Sequence, residues 1–140
     1  LDLGESSYAV LHSFADGEDD GSSPGGSLTL SGSTLYGMTA CGGAYDIGTI
    51  FSIGTDGGGF TILHSFAGGE GDGAYPDISS LILNDGKLYG MTYFGGASDK
   101  GVIFSYGLEN DSVPEPATVV GLVIAGLGMV ARKRLLRRRS

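Results

Sequence analysis

From residue 7 to residue 107 the chain is written twice, so any fold for it must be built from a unit that can be used twice in succession. Tyr8-Ala9-Val10-Leu11-His12-Ser13-Phe14 returns as Phe60-Thr61-Ile62-Leu63-His64-Ser65-Phe66, 52 residues later. Leu35-Tyr36-Gly37-Met38-Thr39 returns as Leu88-Tyr89-Gly90-Met91-Thr92, and Ile50-Phe51-Ser52 as Ile103-Phe104-Ser105, now 53 residues later. The one-residue slip falls between Pro24/Pro76 and Leu28/Leu81 and marks a loop. Gly42-Gly43 matches Gly95-Gly96 in the same frame, so turns repeat along with the segments they join.

Within each copy, apolar and aromatic runs of four to seven residues alternate with Gly, Asp and Ser clusters, the pattern of short strands. The spacing predicts strands near 7–14, 27–31, 34–40 and 48–54, then 59–66, 79–84, 87–93 and 101–107. Asn84-Asp85-Gly86 signals a tight hairpin turn, with Ser31-Gly32-Ser33 in the same slot of the first copy. The 27 glycines gather between strands and read as turns rather than disorder. Phe14, Tyr36, Phe51, Phe66, Tyr89 and Phe104 recur by repeat and are expected at shared packing positions. The expected fold is all-β: two four-stranded antiparallel blade-like repeats, about 7–54 and 59–107, forming a partial β-propeller.

The L-H-S-F, D-G…P, L-Y-G-M-T, G-G and G-T-I-F-S elements resemble the GloVer tandem repeat of bacterial surface proteins with interchangeable anchors. The resemblance spans residues 1–107 and implies a repeat scaffold, with no reaction attached. Two repeats cannot close a propeller, which usually takes about four to eight blades. Leu1 to Ser7 aligns with Ile53 to Gly59, inside a repeat, so the expectation is a fragment whose parent carries more blades upstream. The alternatives are association of several chains, or a small open pair of sheets.

The C-terminal end is of another kind. After a linker at 108–113 come Val113-Pro114-Glu115-Pro116, a stretch with no charged side chain to Ala131, and then Arg132, Lys133, Arg134, Arg137, Arg138 and Arg139. A helix over 116–136 would reach roughly 31 Å, enough to cross a bilayer if the first three basic side chains extend to the interface. Six of the eight basic residues follow the apolar stretch, which places that end in the cytoplasm. Residues 1–113 hold 15 Asp or Glu against Lys87 and Lys100, and are expected outside. Residues 114–140 resemble the PEP-CTERM sorting signal of Gram-negative bacteria. That resemblance implies an inner-membrane precursor handled by an exosortase, with Val113, Pro114, Glu115 and Pro116 as its processing motif. It also implies delivery to the cell surface or the exopolysaccharide matrix.

Several chemistries find little support. The acidic domain would repel nucleic acid, and no glycine-rich loop opens a helix or carries Gly-Lys-Ser or Gly-Lys-Thr to cradle phosphates. Cys41 is alone and is replaced by Phe94 in the second copy, which suits packing rather than catalysis. His12 and His64, the two histidines, are equivalent by repeat and read as a structural element tying a strand to a loop. The alternative is a pair lining a shared channel. Asp16, Glu18 and Asp20 place oxygens at alternate positions before Gly21, as a calcium loop does, but Ser27 stands where the closing Glu belongs. The default is a solvated acidic turn, and weak calcium binding is the alternative; no other cofactor is expected. The chain therefore reads as a non-enzymatic structural or binding module of the envelope or matrix, with exosortase, membrane and exopolysaccharide as partners. The rival is the end of a larger polysaccharide-acting enzyme whose active site lies upstream.

Overall fold

The structure, a computed structural model, describes residues 6–77 and 79–108. The linker beyond residue 108, the processing motif, the 116–136 segment and the basic end lie outside the described residues. Among the described residues all regular structure is β, and no helix is long and apolar enough to cross a membrane.

Four strands form the larger sheet in chain order: β1 (Gly21–Ser31), β2 (Thr34–Gly42), β3 (Thr49–Gly54) and β4 (Thr61–Ser65). All neighbours are antiparallel. The second copy supplies β5 (Gly73–Ala74), β6 (Ile82–Asn84), β7 (Lys87–Met91), β8 (Phe94–Gly95) and β9 (Ile103–Gly107). These form a two-stranded β5–β8 ladder and a three-stranded sheet ordered β6-β7-β9. None of these three sheets closes on itself.

The two copies share their pairing. Gly21↔Gly42 and Ser22↔Cys41 in the first become Gly73↔Gly95 and Ala74↔Phe94 in the second. Thr29↔Tyr36, Leu30↔Leu35 and Ser31↔Thr34 become Ile82↔Tyr89, Leu83↔Leu88 and Asn84↔Lys87. Thus β5 and β6 are the two ends of a β1-like strand, interrupted where the second copy carries its extra residue. In the first copy the same place is a register shift between Gly25 and Thr29. Asp46 and Asp99 both adopt left-handed backbone, at φ 59° and 55°, and their carboxylates accept the N–H of Gly42 and Gly95 at 2.9 and 2.8 Å. A short acceptor side chain bonding its own turn is what lets a residue with a Cβ take that conformation.

The expected unit boundaries need correction. Residues 7–14 form no strand, although they match β4 almost residue for residue. β4 does not open a second sheet; it is the fourth strand of the first, with Thr49↔Ser65, Ile50↔His64, Phe51↔Ile62 and Ser52↔Thr61. A strand exists through its partner's hydrogen bonds. β4 has β3 beside it, whereas no strand precedes Ala9 among the described residues. The four-stranded unit is therefore 21–65, not 7–54, and the second sheet has three strands in place of the four expected over 59–107.

Met38, Ile50, Phe51, Ile53, Phe66, Ala74, Leu81 and Leu88 form the buried apolar core. Phe14 meets Phe51 edge-on at 5.4 Å, and Phe66 meets Phe104 at the same distance. Gly37 and Gly90 lie under those rings: a Cβ there would come within 2.6 Å of Phe51 Cζ and 2.7 Å of Phe104 Cζ. The glycine of L-Y-G-M-T is thus dictated by the aromatic directly opposite it across the ladder, Gly37 pairing with Phe51 in the first copy. Tyr36 is half-buried, but Tyr89 is exposed and takes no part in the core.

Candidate functional site

The chemistry-bearing side chains converge at one place in each copy, where the L-H-S-F histidine meets the aspartate eight residues on. His12 Nε2 lies 3.0 Å from Asp20 Oδ1, and His64 Nε2 lies 2.9 Å from Asp72 Oδ2. An ionised carboxylate only accepts, so in each pair the proton sits on Nε2 and the imidazole donates. Each carboxylate is also bonded by backbone. Asp20 accepts from Ala15 N–H and Gly21 N–H, both at 2.8 Å. Asp72 accepts from Ala67 N–H at 2.9 Å and Gly73 N–H at 2.7 Å. Partial burial pushes the Asp20 carboxyl up, but the His12 bond and the two backbone bonds outweigh it and hold the group below its ordinary 3.8.

Each histidine also packs against aromatic rings. His12 stacks on Phe60 at 3.9 Å and meets Phe14 edge-on, while His64 meets Phe66 and Tyr106. Tyr106 donates its hydroxyl to Leu63 O at 3.1 Å. The arrangement ties the segment before each acidic turn to the start of the strand after it. It uses Nε2 of the histidine and both carboxylate oxygens in doing so, which is the loop-tying role expected of the histidines.

An apolar hollow of about 370 Å³ opens beside the first clamp, bounded by Leu11, Phe14, Leu28, Met38 and Phe51. The Nε2 of its imidazole neighbour is committed to Asp20, and the hollow can accept an apolar side chain. Leu28 on its rim is exposed, whereas its counterpart Leu81 is buried.

The three acidic residues singled out in the first turn differ in their surroundings. Asp16 and Glu18 are exposed, and Asp20 faces His12. The described residues contain no group of three or more His, Cys, Asp or Glu placed to hold a metal ion. The pairing of His with Asp was missed in the sequence, yet its signal is present: both members recur at the same eight-residue spacing, whereas Asp16 becomes Gly68. Cys41 is a half-buried free thiol near the end of β2.

A buried pair of hydroxyls completes the first copy. Thr39 Oγ1 and Thr49 Oγ1 are 2.7 Å apart, and Thr39 also bonds Cys41 O at 2.9 Å. In the second copy Thr92 keeps the equivalent bond, to Phe94 O at 2.8 Å, and Val102 replaces the second threonine.

Against known families, the model described as the Gloeobacter/Verrucomicrobia repeat matches residues 1–119. The model described as the PEP-CTERM protein-sorting motif matches residues 112–139. No curated protein and no solved structure matches significantly. The sorting motif marks a membrane-anchored precursor that is exported, recognised by an exosortase and sorted to the cell surface.

Proposed function

The chain belongs to the Gloeobacter/Verrucomicrobia repeat family, and on that premise we propose that it is a structural or binding module of the cell surface, held outside the cytoplasm until an exosortase processes its tail. The observation that carries this reading is the junction of a repeat domain with a sorting motif in one chain. The repeat units are blades of a propeller-like stack. Residues 116–136, uncharged as far as Ala131, are the transmembrane helix of the precursor, and the basic residues from Arg132 to Arg139 hold its end on the cytoplasmic side. Processing takes place at Val113 to Pro116.

A non-catalytic role agrees with how the repeats use their polar groups. Both histidines and their aspartates hold turns, a use that the two copies share. Exopolysaccharide is the partner suggested by the destination, and any calcium taken up through Asp16, Glu18 and Asp20 is weak. The test is expression of the full chain in a host with an exosortase, alongside a variant in which Pro114, Glu115 and Pro116 are alanine. The wild-type chain should be shortened and reach the surface, and the variant should stay full-length in the membrane. Surface delivery of both without shortening, or polysaccharide turnover by the purified chain, would overturn the reading.

A further inference from the structure

Three aromatic side chains of the second copy lie open to solvent at one place, and the first copy forms the same backbone without them. Tyr75 is 38% exposed, Tyr93 64% and Phe94 46%. Phe94 joins the other two, its ring centroid 6.1 Å from that of Tyr75, nearly perpendicular, and 5.5 Å from that of Tyr93. Their counterparts in the first copy are Ser23, Ala40 and Cys41. The ladder is nevertheless equivalent, since Ser22↔Cys41 stands where Ala74↔Phe94 does. Forming the unit therefore does not call for the rings.

The backbone under Tyr75 sharpens the contrast. It is left-handed at φ 57°, and Ser23 holds φ 58° at the same turn. A small or locally bonding side chain suits this region, whereas a bulky ring there is a conformational outlier. The turn is pinned on both sides: Tyr75 N–H donates to Ile47 O at 2.8 Å, and Tyr75 O accepts Tyr93 N–H at 3.0 Å. The rings thus start from a fixed main chain, and little backbone freedom is lost when something stacks on them. A strained residue that faces solvent and fills no core points to a use other than folding.

Three properties select what binds. Aromatic faces attract C–H groups through their π cloud, and tyrosine adds a hydroxyl at the rim. Among the described residues neither Tyr75 nor Tyr93 engages its hydroxyl with another protein group. A pyranose matches both features, with C–H bonds on its face and hydroxyls around its edge. Second, a surface for mating repeats would be written in both copies, and these residues are written in one. Third, residues 1–113 hold 15 Asp or Glu against two Lys, so an acidic polymer is repelled. We propose that Tyr75, Tyr93 and Phe94 form a stacking platform for a neutral polysaccharide, with sugars of one chain lying over neighbouring rings. The assignment rests on the chain being a binding module of the cell surface, and it gives that role a location.

The test is calorimetric titration of the full chain in detergent with neutral hexasaccharides of glucose, mannose, galactose and xylose, and with a hexuronate. At least one neutral hexasaccharide should bind, and the hexuronate should bind more weakly. Tyr75→Ser and Tyr93→Ala, which install the residues of the first copy, should each weaken binding about tenfold and together abolish it. Neither should lower the unfolding midpoint, because the first copy folds with Ser and Ala at these places. Binding that survives both substitutions would overturn the platform and leave polysaccharide as a partner held elsewhere. Failure of every neutral hexasaccharide to bind would overturn the platform and the polysaccharide partner together. A lowered midpoint in both variants would instead assign the rings to packing. Self-association that disappears in both, read by sedimentation, would assign them to a contact between copies of the chain.

Discussion

Ile50 and Ile103 occupy the same place in the same repeat, yet one is 1% exposed and the other 81%. The two copies pair their strands in equivalent registers, place left-handed residues at equivalent turns, and set a phenylalanine over an equivalent glycine. What differs is the neighbour. The first copy has β4 and the turns after it laid against β3, while β9 has no such cover among the described residues. A repeat of this kind therefore does not contain its own core; part of each core belongs to the joint with the next unit.

That contrast is easiest to break with truncations at matched positions. Ile50→Ala should cost about 2–5 kcal/mol in denaturant unfolding of dilute chain, as for a buried isoleucine. Ile103→Ala should stay within about 0.5 kcal/mol under the same conditions. Equal losses would mean that β9 is as well covered as β3, and the asymmetry between the copies would fall.

The clamps should respond next. Asp20→Asn removes a carboxylate that accepts from His12, Ala15 and Gly21, at an expected cost of about 1–3 kcal/mol. Because the folded carboxyl lies below its ordinary 3.8, its contribution is complete at pH well above that value and fades as pH falls through the depressed one. Unfolding measured from pH 6 to pH 2 should therefore lose part of its acid dependence in the variant. If Asp20 were instead a calcium ligand, the variant would match wild type without calcium and differ only when calcium is added.

A small effect is also expected where the chain has already tried the substitution. Thr49→Val reproduces the second copy, which has Val102 there, and Thr39 keeps its bond to Cys41 O. A loss within about 1 kcal/mol is expected from chemical denaturation. A larger one would show that the hydroxyl pair carries weight that the second copy does without.

Much of this was legible in the sequence, because strands and turns are local. The L-Y-G-M-T runs, and G-T-I-F-S with its counterpart G-V-I-F-S, lie at strands, and Asn84-Asp85-Gly86 joins β6 to β7 as a tight turn. The unit boundary was not legible. A pattern that repeats reads the same wherever the unit is taken to begin, and only strand pairing decides whether L-H-S-F opens one sheet or closes the one before. The role of Asp20 was hidden for a related reason: a turn rich in carboxylates reads as a cation loop until the partner of each oxygen is known. His12 and Asp20 are eight residues apart, and folding the chain back between them is what makes them neighbours.

Amide hydrogen exchange on the full chain tests the central claim most directly, because it reads the two L-H-S-F segments side by side. In dilute solution the amides of 61–65 should be protected by β3 while those of 9–13 exchange freely. Equal protection of 9–13 and 61–65 at the lowest concentration would contradict the account, since each segment would then be completing a sheet within its own copy.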